Sequence, residues 1–271
     1  LFVDGRYTLQ ATNQSGKFFK IITFPKNMPK DISINKNLLI GFDPKFFTKK
    51  VLNTFFPFKK FKLKPLHYNL IDKIWVRKVK KNYKKFYCLP KVSVGESYKS
   101  KIDKIVSQIK KRKADFQFIT ASENNAWLLN IRGGDTQYAP IPHCHILINK
   151  NKKIKFFCDL KKIGSALKKN FNRVEFIDLS LLSSFISEIF GKKFIIDSNT
   201  CSIFYENLIS NNNVILNFHD PIYQYKAIKN NIEIRNIQKA HICDGVALTK
   251  YLFWVKKNFN KKKITEISGS E

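Results

Sequence analysis

From Tyr98 onward the apolar positions switch repeatedly between two periods. Tyr98, Ile102, Ile105, Val106 and Ile109 recur at helical spacing and predict one helix face, with Ser97 placed to cap it. Phe116–Thr120 is a run of strand formers and Ser122–Leu129 a short helix. His145–Ile148 and Ile154–Cys158 flank Asn149-Lys150-Asn151-Lys152, a hairpin signal. Helix 160–169, strand 174–179, helix 181–190, strand 194–197, helix 201–209 and strand 214–218 follow. Strands alternating with helices predict an α/β layer with a mixed sheet flanked by helices.

The pattern is looser on either side of this block. Leu1–Val3 reads as a strand end and Tyr7–Gln14 as the start of a helix after a tight Asp4-Gly5 turn. Residues 18–24 and 38–42 have strand composition, 45–55 predicts a helix, and a short strand fits before Pro65. His67 to Ser97 reads as a connector holding one amphipathic element, Leu70–Trp75, and a basic run from Arg77 to Lys85. Beyond Asp220-Pro221, the residues Ile234, Ile237, His241, Leu248, Leu252 and Val255 form one stripe of a long helix over 231–257. Thr265-Glu266-Ile267-Ser268 carries capping chemistry for another. The expected division is therefore 1–66, a linker 67–97, 98–220, and 221–271.

Composition adds limits. The 271 residues are 44% apolar and 14% aromatic, too much for a disordered chain. No apolar run approaches the ~18 residues of a membrane span. Leu1-Phe2-Val3 running straight into Asp4-Gly5-Arg6 is no signal peptide and suggests a strand cut midway, so the chain is expected to be a fragment. The charge is +30, from 50 basic and 20 acidic residues. A basic surface attracts polyanions, yet only six of these residues are Arg and the lysines are scattered, which argues against nucleic-acid binding. Five widely spaced cysteines without a C-x-x-C fit a reducing cytoplasm.

Few constellations carry chemistry. His143 and His145, around Cys144, would share one face of a strand, open to a metal or, more simply, facing a partner surface. Gly133-Gly134-Asp135 is either an anion-cradling turn or a plain connection. Arg6 beside Asp4 offers a fork of donors for a carboxylate, with Asp4 itself the simplest partner. No Ser-His-Asp spacing, phosphate loop or paired-carboxylate motif is visible.

Four stretches change the picture. They are Leu1-Phe2-Val3-Asp4-Gly5-Arg6-Tyr7-Thr8-Leu9-Gln10-Ala11, Asn69-Leu70-Ile71-Asp72-Lys73-Ile74-Trp75, and Ala126-Trp127-Leu128-Leu129-Asn130-Ile131-Arg132-Gly133-Gly134-Asp135. The last runs from Lys226-Ala227-Ile228-Lys229-Asn230 through Ala240-His241-Ile242-Cys243-Asp244-Gly245-Val246-Ala247-Leu248 to Thr265-Glu266-Ile267-Ser268. In this order the chain resembles the Xaa-Pro aminopeptidase (aminopeptidase P) family in its long three-domain form. The resemblance implies creatinase-type, ribonuclease H-like N-terminal α/β domains: the C-terminal part of the first at 1–66 and the whole second at 98–220. The opening helix of an incomplete α+β "pita-bread" peptidase domain would follow at 221–271.

It further implies an enzyme that removes the N-terminal residue from peptides with Pro in second position. Two divalent metal ions, usually manganese, would be held by ligands downstream of this chain, so no catalytic or metal-binding residue falls within it. His241 and Asp244 match helix positions, not ligands. The family's substrate-binding Arg of the Asp-Gly-Arg-Tyr segment matches Arg6. A cytoplasmic homodimer joined through the N-terminal domains, with no membrane contact, is also implied. The alternative reading is a non-catalytic basic interaction module on the same fold, binding nucleic acid or an acidic partner.

Overall fold

The computed structural model describes residues 1–32, 39–75, 84–261 and 263–270. The chain opens with β1 (Phe2–Asp4), α1 (Thr8–Ser15) and β2 (Ile22–Phe24), then β3 (Leu39–Phe42), α2 (Lys49–Phe55), β4 (Lys62–Pro65) and α3 (Leu70–Ile74). Next come β5 (Tyr87–Cys88), α4 (Lys91–Val94), α5 (Tyr98–Lys111), β6 (Phe116–Ile119), α6 (Ser122–Leu129) and β7 (Ile131–Arg132). The hairpin β8 (His145–Asn149) and β9 (Ile154–Cys158) leads to α7 (Ser165–Lys169), β10 (Val174–Asp178), α8 (Leu182–Ser187), β11 (Lys193–Ile196), α9 (Ile203–Ser210) and β12 (Val214–Asn217). Helices α10 (Ile222–Ala227), α11 (Asn231–Asn258) and α12 (Glu266–Ser270) close it.

One six-stranded sheet, ordered β10-β9-β8-β6-β11-β12, organises the middle of the chain. Five strands run the same way; β8 alone opposes its neighbours, with Ile146 opposite Phe156 and Ile119. The period-2 alternation of strands sends Ile146 and Ile148 to one face and Leu147 to the other. The first face packs under Ile102, Ile105 and Ile109 of α5 and Leu128 of α6, the second under Leu182 and Ile186 of α8 and Ile209 of α9. Each fully buried side chain of this size contributes about 1.5–3 kcal/mol. The mixed sheet flanked by helices expected from the sequence is the architecture observed.

Local chemistry sets the boundaries. Ser97 Oγ accepts from Ser100 N at 3.3 Å and starts α5, while Asn130 ends α6 at φ 56°, a left-handed cap Asn tolerates. Four expected elements are trimmed, helix 181–190 to α8 among them. Strand 18–24 shrinks to β2 because Gly16–Phe18 closes into a 3-10 turn. Helix 45–55 starts only at Lys49, where Thr48 caps it. Helix 160–169 breaks at Gly164 into a 3-10 turn and α7. The expected connector also holds more structure than its polarity suggests. Phe86 is buried in the sheet core and Tyr87–Cys88 pair antiparallel with Ile131–Arg132. Much of the basic run 77–85 lies outside the described residues.

Helix α11 matches its predicted span to one residue. None of its side chains is buried, and Ile242, Leu248, Leu252 and Phe253 stand exposed. Among the described residues no helix is long and apolar enough to cross a membrane.

Candidate functional site

Arg6 sits in a 3-10 turn directly after β1, placed there because the Asp4 carboxylate caps the turn by accepting from Arg6 N at 2.9 Å. The guanidinium folds back on the same carboxylate: Nε donates to Oδ1 at 2.9 Å and Nη2 to Oδ2 at 3.3 Å. The Arg6 hydrogen bonds hold Asp4 below the usual carboxylate range, and Asp4 raises Arg6. Both are solvent-exposed, so the pair contributes little to stability. It does orient the fork, whose outer edge faces solvent.

The Gly133-Gly134-Asp135 turn is a packing device. A Cβ at Gly133 would lie 2.8 Å from the Phe86 ring and 3.0 Å from the Pro142 backbone. The Asp135 carboxylate is buried, pairs with the Lys162 ammonium, and accepts from His143 N at 2.8 Å. A buried anion at this point excludes the anion-cradle reading.

The two histidines do not act together. The strand begins only at His145, so the two-residue period does not reach His143, which stands exposed with Nε2 3.3 Å from Thr136 Oγ1. His145 packs between the rings of Phe118 and Tyr205 rather than facing a partner surface. Burial pulls its pKa down to about 4, and Nδ1 has no hydrogen-bond partner. Among the described residues no three His, Cys, Asp or Glu side chains gather in a way that could hold a metal ion. His241 and Asp244 lie on the exposed helix α11. The residues present do not fit a dinuclear centre.

Sequence reasoning missed a buried polar network at the C-terminal ends of the parallel strands. Asp220 accepts from Asn124 Nδ2 at 2.7 Å, from Gln117 Nε2 at 3.3 Å and from Ile222 N at 3.1 Å. Its backbone N–H donates to Asp197 Oδ2 at 2.8 Å, and His219 Nδ1 lies 3.0 Å from that same oxygen. Burial raises the Asp220 pKa, with the neighbouring Asp197 charge adding to it. Asp220-Pro221 marks a turn in the sequence, but Gln117 and Asn124 lie about a hundred residues away. Lys101 was equally hidden: its Nζ donates to Trp127 O at 2.9 Å and Asn130 Oδ1 at 2.7 Å, binding the end of α6, and burial draws its pKa to about 8.

Two junctions tie the outer segments to the sheet. At the first, the unpaired N–H groups that start α9 are satisfied from the N-terminal block: Ile203 N donates to Phe47 O at 2.8 Å and Phe204 N to Pro44 O at 3.0 Å. Lys49 Nζ adds a bond to the buried Glu206 carboxylate at 2.7 Å. Beside this junction lies an open groove of about 910 Å³, lined by Phe46, Tyr68, Phe204 and Leu208 among others. At the second, Asn230 caps α11 by accepting from Ile232 N and Glu233 N and donates to Val94 O at 2.9 Å. Asn236 donates to Val92 O at 3.0 Å.

Comparison with known proteins bears on the family and the fold. Residues 77–233, more than half of the chain, match the Creatinase/Prolidase N-terminal domain family. A probable Xaa-Pro aminopeptidase P of Laccaria bicolor is 29% identical over 100% of this chain and 44% of its own length. Xaa-Pro aminopeptidase ApepP of Drosophila melanogaster is 28% identical over 100% of this chain and 47% of its own. The crystal structure of an X-prolyl aminopeptidase from Caenorhabditis elegans, described as a cytosolic enzyme with a di-nuclear active site, superposes over 99% of this chain and 46% of that one. The TM-score is 0.83 at 23% identity, a likeness of fold. The chain spans about half the length of the curated relatives it matches. It belongs to the creatinase/prolidase N-terminal domain family.

Proposed function

We propose that this chain is the N-terminal portion of a metal-dependent Xaa-Pro aminopeptidase, which removes the N-terminal residue from peptides with proline in second position. The observation that carries this reading is a match along the whole chain to proteins named for that activity. In the proposed division, 1–66 is part of a first creatinase-type domain. The sheet unit runs from about Phe86 to Asp220, and 221–271 opens the peptidase domain. The burial of Phe86 in the sheet core supports moving the sheet unit's start ahead of Ser97.

The metal pair, manganese in this reading, would sit on ligands outside this chain and supply the hydroxide that attacks the carbonyl preceding proline. The residues present bind and position. Arg6, held by Asp4 on a short turn, presents its outer N–H groups to a substrate carbonyl or carboxylate. The first junction ties residues 44–49 to α9, and the second ties the start of α11 to Val92 and Val94 ahead of α5. The segment narrows the cleft to a free peptide N-terminus and is inert alone. A cytoplasmic homodimer assembled through the N-terminal domains completes the proposal.

The test compares this segment with the complete reading frame in manganese buffer on an Xaa-Pro peptide. The complete protein should release the first residue and the segment should release none. Turnover by the segment would overturn its inert role; a silent complete protein would overturn the activity.

A further inference from the structure

Nine of the basic residues scattered along the sequence meet in the fold. At the edge of the sheet where the five parallel strands begin, Lys110, Lys111 and Lys113 end the helix and turn that feed β6. Lys150, Lys152 and Lys153 form the β8–β9 hairpin loop, Arg173 precedes β10, and Lys192 and Lys193 open β11. Backbone hydrogen bonds join these segments into one continuous row. Lys150 N donates to Asp115 O, Asp115 N to Lys193 O at 2.9 Å, and Ile154 N to Arg173 O at 3.4 Å. The carboxylates at this edge are few and mostly engaged: Asp115 pairs with Lys150, Asp103 with Lys152, and Glu175 with Lys155. The Lys150 hydrogen bond holds Asp115 below its ordinary pKa, with Lys192 adding to the effect.

At the opposite edge Asp178 ends β10, while Asp159, Asp197 and Asp220 follow β9, β11 and β12; Asp197 and Asp220 are buried, and Lys161 and Lys162 follow Asp159. A composition that writes lysine wherever a surface tolerates it would load both edges alike. Helix dipoles favour cations at the end of α5, but they do not account for the hairpin loop, Arg173 or the start of β11.

We infer that this basic edge binds single-stranded nucleic acid through its phosphates. Four inter-strand steps of ~4.8 Å carry the row across roughly 19 Å. At the ~3.4 Å per nucleotide of a strand stacked as in a duplex, that faces about five or six phosphates. At its β10 end the row opens into a concavity of about 920 Å³ lined by Asn151, Lys153, Asn172 and Arg173. Phe190, 64% exposed two residues before Lys192, offers a ring on which a base can stack. Each strand is rotated by ~20–25° from its neighbour, so the row winds through a large angle. A flexible strand can follow such a row, whereas a flat anionic bilayer meets only part of it.

The test measures fluorescence anisotropy of a labelled oligouridylate with this chain. Binding should weaken steeply as salt rises from about 50 to about 200 mM. The triple variant Lys111→Glu/Lys113→Glu/Lys193→Glu should bind at least tenfold more weakly. Its log–log salt slope should be shallower by about two, since each phosphate left without a cation removes about 0.7 from the slope. Lys26→Glu/Lys59→Glu/Lys62→Glu carries the same charge change elsewhere and should bind within about twofold of the parent. Equal losses in the two variants would show that overall charge, not this edge, binds, and would overturn the inference. So would no binding at low salt, or stronger binding to phosphatidylserine vesicles or polyglutamate. If the first variant does not fold, lysine acetylation of the parent with and without oligouridylate decides. Protection of Lys111, Lys113, Lys153 and Lys193 but not Lys26 or Lys59 upholds the inference, and uniform labelling overturns it.

Discussion

Asn230 Oδ1 occupies the space that a β-carbon at position 95 would need, at 2.4 Å, and Gly95 itself sits at φ +70°. Asn230 cannot step aside, because that oxygen accepts from Ile232 N and Glu233 N while Nδ2 donates to Val94 O. The start of the long helix is thereby fixed against the turn ahead of α5.

Gly95→Ala should therefore cost about 2–4 kcal/mol in urea unfolding, left-handed strain of ~1–2 kcal/mol joining the loss of a helix cap. In an Asn230→Ala background the same substitution should cost only the strain. Additive costs in the double-mutant cycle would show that the two residues do not share this space.

His145 makes stability depend on pH. Its pKa falls from 6.5 to about 4 in the fold because burial disfavours the imidazolium. Between those values the unfolded chain binds the extra proton, so stability is full above pH 6.5 and is lost as pH falls toward 4. The loss is about 3 kcal/mol. Asp220, whose folded pKa is raised, works in the opposite sense and regains a part on acidification. His145→Phe should flatten the dependence of unfolding free energy between pH 6.5 and 4. An unchanged slope would place the titration elsewhere.

The helix–strand alternation from Tyr98 to Phe218 was legible because each element carries its own period, and α5 and the hairpin sit where their patterns put them. Ends were less legible where a 3-10 turn or a glycine intervened, as at Gly16–Phe18 and Gly164. Phe86 looked like part of a basic connector because nothing local reveals that Ile131–Arg132 pairs beside it. The same holds for the candidate site. The Asp4–Arg6 turn is contiguous and readable, while Asp220 with Gln117 and Asn124, or Glu206 with Lys49, meet only after long loops close.

Asp135 and Lys162 form a nearly buried ion pair between the Gly133 turn and the segment after β9. Removing one partner leaves a charge in low dielectric, so Lys162→Met should destabilise by about 3–5 kcal/mol. Lys162→Met/Asp135→Asn should recover part of that loss, since no bare carboxylate then remains. A double variant less stable than Lys162→Met would mean that the Asp135 bond to His143 N outweighs the pair.

Arg6 is exposed and the carboxylate it pairs with, Asp4, is local, so Arg6→Ala should leave the unfolding midpoint unchanged. In the complete protein the same change should lower kcat/KM for an Xaa-Pro peptide by roughly 10–100-fold, the equivalent of one charge-assisted hydrogen bond of about 1.5–3 kcal/mol. Arg6→Lys keeps the charge but not the planar fork and should restore only a fraction. Asp4→Asn separates positioning from binding: it loosens the turn while leaving the guanidinium, so its effect should fall between the parent and Arg6→Ala. Unchanged kinetics in Arg6→Ala would remove this turn from the substrate path, and a shifted midpoint would make its role structural.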